Sequence, residues 1–114
     1  MVAPEAAKTI YRGYRDSSGQ GPQFVTKDDD LLMTGPSQKV WNHSSDFNWG
    51  YGGSGPAQLA LAILLDVTGD EDLASRHHQA FKREFVARWH DCWAITTGQV
   101  QEWLNGGVDG ILRT

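Results

Sequence analysis

Gly50, Gly52 and Gly55 stand in the order G-x-G-x-x-G, directly ahead of an apolar run that begins at Pro56. After a strand and before a helix, that spacing forms a dinucleotide fingerprint, in which backbone N–H groups at a helix N-terminus face a pyrophosphate. The context does not carry the motif further. A Rossmann unit needs a second parallel strand after its helix, whereas Thr68-Gly69-Asp70 leads into another helix, and 114 residues cannot hold two such halves. No lysine follows in the Walker position. Two readings remain open. In one, Gly52, Gly53, Ser54 and Gly55 bind a smaller anion, a phosphate or a carboxylate. In the other, the glycines supply positive φ and let Trp49 and Tyr51 pack close to the helix start.

The remaining reactive types do not assemble into a catalytic or metal-binding set. His77 and His78 are adjacent, so on a helix their side chains diverge by about 100° and cannot share a metal; His77 to His90 is not a zinc spacing either. His77 falls on the apolar face and is expected to be a half-buried packing residue. Cys92 would need a base within hydrogen-bond reach to act as a nucleophile, and His90 is the only neighbour in sequence that offers one. No catalytic residue, metal site or cofactor is therefore expected. Lys82, Arg83 and Arg88 make the only basic cluster, at a spacing that suits a solvated helix face.

What stands out instead is surface chemistry. The acidic run Asp28-Asp29-Asp30 sits in a turn, and five tryptophans are more indole than a small core readily buries. Trp41 and Trp103 are the tryptophans expected outside, where they would anchor a partner beside the acidic run.

These residues need elements to position them. Thr9 to Arg15 is aromatic and β-branched, reading as a strand that Asp16-Ser17-Ser18-Gly19 turns back into a second strand, Gln23 to Lys27. Lys39 to Asn42 reads as another short strand, and Phe47 to Trp49 as extended. A helix is predicted from Pro56 to Val67, where only Gln58 and Asp66 are polar, so it must be covered on nearly every side. After Thr68-Gly69-Asp70, a second helix carries Leu73, His77, Phe81, Phe85 and Trp89 four residues apart. Trp93 to Thr96 reads as a final strand, and Thr96 with Gln99 as a capping box opening a short helix through Trp103 and Leu104. Asn105-Gly106-Gly107 stops that helix. The expected fold is α+β: a small antiparallel sheet from the N-terminal half on a buried central helix and an amphipathic second helix, with a short C-terminal helix. One domain over residues 8–105 is expected, with flexible tails at 1–7 and 106–114.

Composition narrows the partners. Apolar residues at 39% and charged residues at 21% suit a globular chain, and a net charge of -4 opposes sequence-independent binding to a phosphate backbone. A single cysteine allows no intrachain disulfide and suits the cytoplasm. Met1 to Ala7 lacks the regions of a signal peptide, and the apolar stretch Leu59 to Leu65 is too short for a bilayer.

The segment from Phe47 to Leu65, which contains Trp-Gly-Tyr-Gly-Gly-Ser-Gly-Pro-Ala-Gln-Leu-Ala-Leu, resembles the signature of a family of small uncharacterised proteins encoded by phages, plasmids and bacterial genomes; Tyr11-Arg12-Gly13 resembles its opening motif. The resemblance runs from about Thr9 to Trp103 and brings no catalytic residues with it. It implies an accessory role, such as host takeover or inhibition of a defence complex, CRISPR complexes included. The first expectation is thus a non-catalytic interaction protein with a macromolecular, protein partner, direct nucleic-acid binding and membrane insertion being disfavoured. A small-anion module at the glycine turn is the alternative, and an enzyme using His90 or Cys92 comes third.

Overall fold

The computed structural model describes residues 9–16, 18 and 23–107. The expected tails at 1–7 and 106–114, apart from Gly106 and Gly107, and most of the first turn lie outside them. Four antiparallel strands, β1 (Ile10–Arg15), β2 (Gln23–Lys27), β3 (Asp30–Leu31) and β4 (Cys92–Thr96), form one sheet in the order β3-β2-β1-β4. β1, β2 and β4 fall where strands were predicted and the two-residue β3 where none was; β4 arrives from the C-terminal half and pairs with β1, Gly13 opposite Trp93. The helices are α1 (Gly35–Val40), α2 (Ser54–Thr68), α3 (Glu71–Glu84) and α4 (Thr97–Glu102), with a 3₁₀ turn at Val86–Arg88 and a π turn at Trp103–Gly107.

Strand alternation divides the sheet. Tyr11, Val25, Trp93 and Ile95 point into the core, while Arg12, Tyr14, Phe24, Cys92 and Ala94 point away from it and are exposed. The helices cover only the first face. Gly13 is required by a close approach: a Cβ there would lie 2.1 Å from Nε1 of Trp93, whose indole crosses the strand. The Tyr11-Arg12-Gly13 motif therefore has a packing explanation.

Helix α2 is the centre of the core, and its residues from Gly55 to Leu64 are all buried. It begins two residues before Pro56, which still falls within the first turn, where an absent N–H breaks no helical bond. Gly69 ends it at φ +68, donating its N–H to Leu65 O at 2.7 Å. Asp70 then caps α3 by accepting from Leu73 N at 3.0 Å. The face that α3 buries is Ala74, His78 and Phe81, one residue round from the Leu73–His77 stripe, and His77 is half-buried as expected. The helix also stops at Glu84. Phe85 leaves helical geometry, and Trp89 follows the 3₁₀ turn to stack on Trp93 at 3.9 Å. The capping box at α4 is present: Thr96 Oγ1 accepts from Gln99 N, and Gln99 Oε1 accepts from Thr96 N at 2.9 Å.

One element differs in type. Lys39 and Val40, predicted as strand, close α1, and Trp41 and Asn42 follow it as coil. Pro36 starts that turn of helix, and the Gln58 amide holds it from below, donating to Ser37 Oγ and Trp41 O. A tertiary contact thus outweighs the β preference of valine and tryptophan. Phe47 to Trp49 is buried chain without a ladder partner.

Candidate interaction surface

The glycine turn is built from packing. Gly50 has φ +90 and donates its N–H to Val86 O at 3.0 Å. Arg15 reaches across from β1, donating to Asn48 Oδ1 at 2.7 Å and Trp49 O at 3.3 Å, with its guanidinium over the Trp49 ring. The Trp49 indole donates to His90 O at 2.7 Å. Tyr51 folds its ring onto Gly53, and a Cβ on Gly55 would meet Asn48 Cβ at 2.7 Å. Gly53 is the extended N-cap of α2, not a positive-φ position, and Gly52 has neither positive φ nor a close neighbour. The expectation of positive φ thus holds for Gly50, outside the four residues Gly52 to Gly55, and only Gly52 of the glycines at the turn lacks a packing reason.

Two polar side chains interrupt α2, and both tie other elements to it. Gln58, fully buried, accepts from His43 N at 2.6 Å and Ser44 N at 3.0 Å while its NH₂ holds Ser37 and Trp41. Its amide is satisfied at both ends. Asp66 accepts from the Tyr11 hydroxyl at 2.5 Å and pairs with Lys27 Nζ at 3.0 Å. Burial first, then the hydrogen bond and charge of Asp66, push the Tyr11 phenol well above its ordinary value.

The histidines and the cysteine do not form a catalytic set. Cys92 and His90 are exposed with no hydrogen bond joining them, and no group of three His, Cys, Asp or Glu among the described residues could hold a metal. His43 and His78 do meet, Nε2 to Nε2 at 2.9 Å, under a ring of Trp41 stacked on His43. Two nitrogen donors beside Lys82, whose charge acts against protonation of both rings, do not make a zinc site.

The acidic run has two parts. Asp28 is structural: at φ +54 it turns the β2–β3 hairpin, its N–H donates to Ile10 O at 2.8 Å, and its Oδ1 accepts from Ile10 N at 3.0 Å. Asp29 and Asp30 are exposed and form no ion pair among the described residues. Next to them the chain carries Leu31 and Met33, 60% and 65% exposed, with Phe24 at 46% and Tyr14 at 48% on the neighbouring strands. Leu31 and Met33 stand between two hollows. One, of about 510 Å³, is lined by Phe24, Phe47 and Asp46 among others; the second, of about 400 Å³, runs over Pro36, Ala62 and Leu65 to Asp66. Phe24 also stacks loosely with Tyr14 at 6.4 Å and borders a third, on the bare sheet face, of about 570 Å³. Sequence reading missed all four apolar residues, since an isolated exposed side chain leaves no local signature.

Of the expected partner-binding tryptophans, Trp41 is 49% exposed. Trp103 is not available. It is 6% exposed, edge-on to Phe81 at 5.2 Å and to Phe85 at 6.0 Å, because the π turn that follows α4 lays it onto the end of α3.

Together these features define a two-layer α+β domain with one sheet face bare and an apolar ridge beside an acidic turn. No described helix is long and apolar enough to cross a membrane. The chain belongs to a family of unknown function, DUF6166, whose profile matches residues 11–106. No curated protein and no solved structure matches it.

Proposed function

We propose that this is a non-catalytic interaction protein that docks on a protein partner through the Leu31–Met33 ridge, with Phe24 and Tyr14 extending the apolar contact and Asp29, Asp30 and Asp46 as its acidic rim. The observation that carries the reading is the concentration of large exposed apolar side chains around one hairpin whose Asp29 and Asp30 form no ion pair among the described residues. Such a rim favours a basic partner and disfavours the nucleic-acid backbone itself. The likeness of residues 47–65 to proteins of phages and plasmids favours a host or defence complex as the target, and the lone exposed cysteine suits the cytoplasm.

The test compares the parent with Leu31→Glu and Met33→Glu, each first matched for thermal melting, in pull-downs from a lysate of the source host and then by calorimetry with the purified partner. A partner that the parent retains should be lost from both variants, with affinity falling about 30-fold or more, the scale of a central anchor. Equal retention by parent and variants sinks the reading. So does a strong thermal shift with phosphate or a carboxylate while no macromolecule is retained; that result moves the function to Gly52, Gly53, Ser54 and Gly55.

A further inference from the structure

The segment from Trp41 to Ser44 is held onto the helices by two different kinds of contact. Its backbone is fixed by Gln58, which does not titrate. Its side chains are fixed by the His43–His78 pair, which does. His78 is fully buried on α3, and its Nδ1 lies 2.7 Å from Ser75 O, so that nitrogen carries a hydrogen and donates it. Nε2 of His78 is then a lone pair, and the hydrogen between the rings belongs to Nε2 of His43, 2.9 Å away. The Trp41 ring stacks on His43 at 4.8 Å and meets the edge of His78 at 5.3 Å.

This arrangement accepts one proton but not two. The first can enter at Nδ1 of His43 and leave the contact between the rings unchanged. A second must go to Nε2 of His78, and two N–H groups would then face each other with no acceptor between them. Lys82, on α3, is the charged group facing both rings and adds to the repulsion; Gln58 from α2 and Gln79 from α3 are neutral.

We propose that the His43–His78 pair is an acid-operated latch that holds the Trp41–Ser44 segment against α2 and α3 and releases it, with Trp41, when both rings are protonated. Burial foremost lowers both histidines below their ordinary 6.5 in the closed form, joined at His43 by the charge of Lys82 and at His78, against the hydrogen bond to Ser75 O that raises it, by His43 and then Lys82. Opening restores the ordinary value, so the open form binds more protons once the pH falls below it. Above 6.5 the latch is indifferent to pH; below it, each pH unit multiplies the opening constant by up to about tenfold for every extra proton bound.

Amide hydrogen exchange from pH 7.5 to 4.5, corrected for intrinsic rates, reads the latch directly. Protection of the His43 and Ser44 amides should fall at least tenfold between pH 7 and 5, while β1 amides keep theirs. His43→Gln retains a donor toward His78 but leaves only one titrating ring, so its response should shrink to at most about tenfold per pH unit, that of a single proton. Lys82→Met, which leaves both rings and Gln58 in place, removes one cause that lowers them in the closed form, so it should move the midpoint to lower pH, and it serves equally if His43→Gln does not fold. Protection that persists unchanged to pH 4.5 overturns the proposal, as does a loss shared equally by β1, an undiminished response in folded His43→Gln, or an unmoved midpoint in Lys82→Met.

Discussion

Asp28 concentrates two demands in one residue, a left-handed backbone and an acceptor for Ile10 N. Alanine at this position keeps the strain and loses the bond, so Asp28→Ala should cost about 1–2 kcal/mol, whereas Asp28→Asn, with its tolerance of left-handed backbone and its carbonyl, should stay within about 0.5 kcal/mol of the parent. Urea denaturation separates the two. Charge reversal meant to probe a partner therefore belongs at Asp29 and Asp30. The glycines sort in the same way. Gly13→Ala collides with the Trp93 indole and Gly55→Ala with Asn48, and both should melt well below the parent; Gly53→Ala meets only the exposed Tyr51 ring, which can swing aside. Gly52→Ala has open space around it and should melt like the parent. That makes Gly52 the position at which loss of a binding activity could not be blamed on folding.

At the scale of elements, α2 was legible because its run of apolar residues admits no exposed face. Its two polar residues were visible too, but not their work, which depends on partners 14–21 residues away for Gln58 and 39–55 for Asp66. Gln58→Leu keeps the volume and strands the His43 and Ser44 N–H groups, so a loss of about 2–4 kcal/mol is expected in equilibrium unfolding. The Tyr11–Asp66 contact has a pH signature. The folded state raises the phenol above its ordinary 10, so its contribution is complete below that value and is lost as the pH climbs past it. Parent protein should lose stability steeply above about pH 10, and Tyr11→Phe, which removes the titrating hydroxyl, should flatten that limb. Where sequence reading slipped, a distant contact had overruled a local one. The one-residue rotation of α3 follows from which face α2 offers it, so His78 was passed over for His77. Trp103 was expected outside because the capping box fixes where α4 starts but says nothing of the aromatic pair it meets.

Across the whole molecule, helices cover one face of the sheet and leave Arg12, Tyr14, Phe24, Cys92 and Ala94 bare on the other. The acidic run was legible as a run, but its place beside an apolar ridge required the pairing of β2 with β3. If that rim steers a basic partner, Asp29→Lys with Asp30→Lys should slow association several-fold at low salt and leave dissociation nearly unchanged, the difference closing as ionic strength rises. Stopped-flow measurement across a salt series checks it.

The pairing of β1 with β4 has a temporal side. Thr97 N donates to Thr9 O across 88 positions of chain, and between them come every other strand and the whole of α2 and α3. During synthesis β1 can zip to β2 within moments of emerging, yet its other edge stays open until Cys92 to Thr96 has left the ribosome. For most of translation, then, the nascent chain carries an unpaired strand edge, with Gly13 still waiting for the indole of Trp93. That nonlocal closure is the slow step that the topology imposes, and a chain stalled before residue 92 is the form most exposed to misassembly through β1.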